Sequence, residues 1–196
     1  MQISNWLWSW LEMRQCRRAP QTPLDYAARL SLRKLEERQV LNVTAVFDAT
    51  AGALTVTADA NDHVTVSVDT TTHEVTVNGN TVTIEDSQTH LATSVLASEV
   101  HTVDVTATGN FDNVINLSGL TSADSTWGTV SVHVDAGAGN DQIIVGSVGD
   151  MTIDGGDGTD EIDVTSNIVL TGTDSIFLTA ETINIGAFAI STDQGS

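Results

Sequence analysis

From Leu41 onward, apolar and hydroxyl side chains alternate with a period of two. Ala53-Leu-Thr-Val-Thr-Ala58, His63-Val-Thr-Val-Ser-Val68, Glu74-Val-Thr-Val-Asn78 and Thr81-Val-Thr-Ile84 put Val, Leu or Ile on one side and Thr or Ser on the other. Successive side chains of an extended backbone point to opposite faces, so each stretch predicts a half-buried strand. Asn78-Gly79 offers a tight hairpin turn between two of them. Further strands are expected at 102–107, 114–117, 130–134, 142–145 and 161–164, then every seven or eight residues at 168–170, 175–178, 182–185 and 188–190. Short strands at regular spacing without intervening helices argue for a solenoid, a sandwich or a barrel. Before Leu41 the period is helical. Thr22 is a natural N-cap, Pro23 suits the first helical position, Asp25 can complete a capping box, and Leu24, Ala28, Leu32 and Leu35 share one face.

An internal repeat narrows the choice. Asp135-Ala-Gly-Ala-Gly-Asn-Asp-Gln-Ile143 and Asp154-Gly-Gly-Asp-Gly-Thr-Asp-Glu-Ile162 follow one pattern, offset by nineteen residues. Each has two glycines one residue apart, an aspartate two further on, and an isoleucine that starts a strand. Asp59-Ala-Asn-Asp-His-Val64 and Gly109-Asn-Phe-Asp-Asn-Val114 read as worn copies, the second with one extra residue before Asp112. Asp62, Asp112, Asp141 and Asp160 then occupy one repeated position, spaced by 50, 29 and 19 residues. Stacked coils of shrinking length are expected, broad before about residue 130 and compact after it, with 146–150 as a degraded turn on the opposite edge. The fold class expected is all-β, a parallel β-helix or β-roll-like solenoid behind a short helical leader. Glycine there permits a tight turn and aspartate can bond its own backbone, so a purely structural corner accounts for the motif as well as a ligand site does.

Charge divides the chain in two. All seven Lys and Arg lie within the first 38 residues, whereas 22 of the 26 carboxylates lie between Asp48 and Asp193. The organisation expected is a basic helical leader over residues 1–41 and an acidic β-rich unit over 42–196. About 22 like charges oppose compaction, so a bound cation would stabilise the acidic unit; a surface kept soluble by its charge is the simpler alternative. Nothing beyond Gln39 can neutralise phosphate, which argues against nucleic acid as a partner. The single cysteine, Cys16, allows no disulfide within the chain.

The glycine–aspartate pattern resembles the RTX, or haemolysin-type, calcium-binding repeat, Gly-Gly-x-Gly-x-Asp followed by an aliphatic residue. Gly155-Gly-Asp-Gly-Thr-Asp-Glu-Ile162 fits throughout, and the earlier copy departs only at Ala136. The resemblance implies Ca2+ between stacked turns, with side-chain oxygens from Asp141 and Asp160 and backbone carbonyls from Gly137, Gly139, Gly156 and Gly158. Asp157, Asn140 and Asp135 contribute or stay in solvent. All-oxygen ligands without Cys or clustered His favour calcium over zinc. One well-formed site and one weaker one are the most this implies. A second resemblance covers about a dozen residues. Ser31-Leu-Arg-Lys-Leu-Glu-Glu-Arg-Gln-Val-Leu-Asn42 looks like the N-terminal motif of large planctomycete-type bacterial surface proteins, matched at Leu35, Glu36, Arg38 and Leu41. It implies export or sorting; an ordinary amphipathic helix with charge pairs one turn apart is the alternative.

Residues 6–18 combine Trp6, Trp8 and Trp10 with Arg14, Arg17 and Arg18, which suits weak contact with a membrane interface and is too short to span one. Enzymatic chemistry finds little support. Polysaccharide lyases of β-helical build need a cationic base, and the acidic unit has no Lys or Arg. Carboxylates are so numerous that no pair stands out for glycoside hydrolysis. His63, His73, His90, His101 and His133 are scattered. The expectation is a non-enzymatic, extracellular or cell-surface bacterial module binding calcium. The alternatives are an adhesin-like surface for glycan or protein, presented by Thr55/Thr57 and Thr81/Thr83, and, behind it, a polysaccharide-degrading enzyme. The last strands show no polar cap, so either another chain pairs with them or the sequence is a piece of a larger protein.

Overall fold

The computed structural model describes residues 43–120, 130–147 and 149–192. The leader helix, the tryptophan segment and the export-type motif all fall on residues 1–42, outside the described residues. The chain divides into two units at the Val40–Leu41 boundary, and every described residue belongs to the second, Leu41–Ser196.

That unit is all-β. It begins with β1 (Thr44–Asp48), β2 (Ala53–Ala58), β3 (His63–Val68), β4 (Val75–Val77) and β5 (Ile84–Asp86). Then come β6 (Thr102–Ala107), β7 (Val114–Gly119), β8 (Ser131–Asp135), β9 (Ala138–Gly139), β10 (Gln142–Val145) and β11 (Met151–Asp154). It closes with β12 (Asp157–Gly158), β13 (Glu161–Val164), β14 (Ile168–Leu170), β15 (Ile176–Thr179), β16 (Thr182–Asn184) and β17 (Ile190–Thr192). Short 3₁₀ turns at Asn78–Asn80 and Ala97–Glu99 are the helical segments among the described residues.

Two sheets dominate. One runs β15-β11-β8-β6-β2-β1-β5 and the other β16-β13-β10-β7-β3-β4. From β2 onward each circuit of the chain adds one strand to each sheet, in parallel with the last. Ala53 stands beside Thr102, Thr102 beside Ser131, Val132 beside Met151 and Met151 beside Ile176, separations of 49, 29, 19 and 25 residues. The circuits therefore shorten as expected up to β11 and then lengthen again. The sheets are mixed, not purely parallel. β1 is antiparallel to β2, and β4 is antiparallel to β3. Both reversals lie at one end of the stack, where hairpins double the chain back.

The alternation read from the sequence sets the core. Leu54, Val103, Val132 and Met151 form one buried column, continued by Ile176. Val64, Ile115, Ile143 and Ile162 form another, continued by Ile183. Each fully buried aliphatic contributes roughly 1.5–3 kcal/mol of burial, so the columns are the main source of stability.

Three local readings are corrected. β1 and β11 are strands that periodicity did not single out. The chain does turn back across Asn78–Asn80, but residues 81–84 return through a single antiparallel bridge, Val77 to Val82, and not as a full strand. Only Ile84 of that stretch is in a strand, and β5 pairs in parallel with β1 instead. Asn78, Gly79 and Asn80 all have positive φ, which coils the segment into a 3₁₀ turn, and Asn78 Oδ1 accepts the Thr65 N–H at 2.7 Å.

Candidate functional site

The glycine turns connect the two sheets along one edge. The turn after β8 carries β9, the turn after β11 carries β12, and these pair in parallel, Ala138 beside Asp157 and Gly139 beside Gly158. The Asp157 N–H donates to the Gly137 carbonyl at 2.9 Å. The backbones approach so closely that a Cβ on Gly156 or Gly158 would collide with the carbonyl oxygen of Gly137 or Gly139 in the circuit below. Gly156 also has φ 88°. Stacking thus requires glycine at both positions, whatever else the turns do.

Inside this edge runs a column of acidic and amide side chains. The Asp62 N–H donates to Asn113 Oδ1 at 3.0 Å, and the Asn113 N–H to Asp141 Oδ1 at 2.7 Å. The Asp141 N–H donates to Asp160 Oδ1 at 2.9 Å, and the Asp160 N–H to Glu181 Oε2 at 2.8 Å. The carbonyls of Asp62, Asn113, Asp141 and Asp160 accept in turn from Val114, Gln142, Glu161 and Thr182 of the next circuits. Each member therefore ties its backbone to the circuit that follows. Asp62, Asn113, Asp141 and Asp160 are buried, Asp141 and Asp160 to 2% and 1% exposure.

The column corrects the sequence reading at one place. Its second member is Asn113, not Asp112. Asp112 lies on the exposed side, where Oδ1 accepts the Asn140 N–H at 2.7 Å, and Asn140 Oδ1 accepts the Thr159 N–H at 3.2 Å. Glu181 is a member that sequence reasoning missed. The readable signal is the phase of the following aliphatic. Val64, Ile115, Ile143, Ile162 and Ile183 each stand two residues after a column member and share one register.

The members differ in what their second polar atom does. Asn113 Nδ2 donates to its own Phe111 carbonyl at 2.9 Å. Asp141 and Asp160 have a carboxylate oxygen, Oδ2, at the corresponding place, and both oxygens are buried without a hydrogen-bond partner. By register, the carbonyls two residues before them are those of Gly139 and Gly158. The carboxylate of Asp160 packs over Gly155, where a Cβ would meet Oδ2 at 2.7 Å. Asp62 Oδ1 is likewise unpartnered, but its Oδ2 accepts the Asp59 and Ala60 N–H groups at 3.2 and 3.3 Å. Burial pushes the Asp141 carboxyl above the ordinary range; the Asn113 N–H opposes this, and the charges of Asp160 and Asp112 add to it. Glu181 is held below its ordinary value, first by the Asp160 N–H.

Of the residues singled out from sequence, Asp141 and Asp160 converge in the column, and Gly137, Gly139, Gly156 and Gly158 pave the turns beside it. The Asp157 side chain is exposed, and its contribution is the backbone N–H already described. No group of three or more His, Cys, Asp or Glu side chains converges on one point among the described residues. A cation held here would draw most of its ligands from the backbone. The threonine ladders expected of an adhesive face are interrupted. Thr57 stands beside Thr106, but Thr55 is followed by Asp104 and His133, which pair at 3.0 Å, and Thr81 and Thr83 lie outside the strands. Compared with protein-family models, with curated proteins and with solved structures, the chain matches none.

Proposed function

We propose that the acidic unit is a non-enzymatic β-solenoid at or outside the bacterial cell surface, held along its glycine edge by calcium. One observation carries this reading. Where the circuit of Asn113 presents an amide nitrogen to a backbone carbonyl, the circuits of Asp141 and Asp160 present an unpartnered carboxylate oxygen. An ionised carboxylate buried without a counter-charge costs several kcal/mol, and the unit has no Lys or Arg to supply one. A hard cation satisfies carboxylate and carbonyl oxygens together, which suits Ca2+ with its six to eight oxygen ligands. Asp141 and Asp160 would supply the charged ligands, and Gly139 and Gly158, two residues before them, the carbonyls. Gly137 already accepts the Asp157 N–H and serves the stacking. The role is structural: bound calcium would offset the repulsion within the column and lock neighbouring circuits in register.

The test is thermal unfolding followed by circular dichroism, in chelator and in calcium. At a calcium concentration a hundred times Kd, stabilisation of about 2.7 kcal/mol is expected, a rise in Tm of roughly 5–10 °C for a unit of this size. Asp160→Asn, which puts an amide where Asn113 already has one, is expected to lose that rise and to unfold no earlier than the natural chain in chelator. An unchanged Tm in millimolar calcium would leave the turns as structural corners alone.

A further inference from the structure

In the first two circuits of the column, the side chain is matched to the backbone group two residues before it. Before Asp62 that residue is Ala60, whose N–H donates to the carboxylate Oδ2 at 3.3 Å, with the Asp59 N–H on the same oxygen at 3.2 Å. Before Asn113 it is Phe111, which presents its carbonyl, and Asn113 Nδ2 donates to that carbonyl at 2.9 Å. Donor meets acceptor in both. Asp62 begins the column, so no earlier member donates to Oδ1, and that is the oxygen it leaves unpartnered.

The next two circuits are not matched. The Phe111 carbonyl oxygen lies where a Cβ on Gly139 would collide with it, and the Gly139 carbonyl oxygen lies where a Cβ on Gly158 would. Gly139 and Gly158 are also register partners, so the carbonyls of Phe111, Gly139 and Gly158 form one row, a circuit apart. Two residues after them the side chains read amide, carboxylate, carboxylate: Asn113, Asp141, Asp160. An ionised carboxylate has no proton to donate, so a carbonyl cannot satisfy it, and Oδ2 of both aspartates is buried without a partner. In the Asn113 circuit an amide nitrogen fills the place that a cation would fill in the two that follow.

We propose that Asn113 sets the limit of the calcium-binding run, an inference that rests on the calcium reading above. The run covers the unmatched circuits of Asp141 and Asp160 and stops toward β3, because Asn113 Nδ2 already satisfies the carbonyl there. The amide is fixed by two partners of opposite kind: Oδ1 accepts the Asp62 N–H at 3.0 Å, and Nδ2 donates to Phe111. Aspartate at this position would keep the first contact and lose the second. It would extend the unmatched run by one circuit and so make room for one further ion among carboxylate and carbonyl oxygens. Asp112, which the sequence pattern aligns with Asp141, has no part in the run, since its Oδ1 accepts the Asn140 N–H on the exposed side at 2.7 Å.

Counting bound calcium by isothermal titration of the 196-residue chain tests it. Asn113→Asp should take one ion more than the natural chain and gain a larger rise in Tm from calcium. In chelator it should melt below the natural chain, and in millimolar calcium it should show the natural circular dichroism spectrum. Asp112→Asn and Asp62→Asn leave the unmatched run as it is, so each should bind as many ions as the natural chain. If Asn113→Asp takes no further ion or stays unfolded in millimolar calcium, the proposal is overturned and the calcium reading stands. The same holds if Asp112→Asn or Asp62→Asn loses an ion. A natural chain that binds no calcium would overturn both.

Discussion

Asp141 and Asp160 are the residues on which the reading turns, because each buries one oxygen that the fold leaves unpartnered. With Asp141 raised mainly by burial, its ionised form is disfavoured in the folded chain. Its contribution to stability is therefore full at low pH and lost as pH rises through the folded pKa. Glu181 has the opposite sign, being lowered, so its contribution is lost on acidification. Comparing the natural chain with Asp141→Asn isolates the first effect. In chelator, the Tm advantage of the variant should be near zero at about pH 4 and grow toward pH 7; an advantage independent of pH would contradict the assignment. The glycines make a separate prediction. Gly158→Ala drives a methyl into the Gly139 carbonyl and should cost at least about 3 kcal/mol. Gly172→Ala, at φ 59° with open space around it, should cost only about 1 kcal/mol in denaturant unfolding. Comparable losses at both would show that the circuits are not in close contact. The motif's aspartates and glycines were legible in the sequence because their spacing repeats. Asn113 was not, because Asp112 beside it completes the familiar pattern, and only the inward phase of Ile115 decides between them.

At the scale of elements, the strands were legible wherever alternation ran over several residues. β2, β3 and β6 match the expected ranges, and so do the shorter β10, β13 and β14. β11 was missed because four residues, Met151-Thr-Ile-Asp154, carry little periodicity between a loop and a glycine turn. Hairpin geometry was less legible still. The loops starting at Asp48, Asp69 and Asp86 share one construction. Each aspartate Oδ1 accepts N–H groups two and three residues on, and the fifth residue has positive φ: Gly52, His73 and His90. With histidine in two of the three left-handed positions, the glycine that advertises such a turn is absent. The stack also predicts a gradient of stability. Ile143→Ala, in a fully buried middle circuit, should cost about 2–5 kcal/mol, and Ile183→Ala, 40% exposed, well under half of that. Hydrogen exchange should show β10 and β13 protected longer than β16 and β17; uniform protection would contradict a stack that opens from its β15–β17 end.

For the whole molecule, the charge asymmetry and the circuit-by-circuit stacking belong together. The unit has 22 carboxylates and no Lys or Arg, and among its described carboxylates only Asp62, Asp141 and Asp160 are buried, all in the internal column. The proposal of calcium rests on that column more than on acidity, since surface carboxylates need no counter-ion to be tolerated in water. The most direct test compares the natural chain with Asp160→Asn in thermal unfolding, each in chelator and in saturating calcium. The account predicts a clear rise in Tm for the natural chain and none for the variant. A variant that gains as much from calcium as the natural chain, or a natural chain that gains nothing, would contradict it.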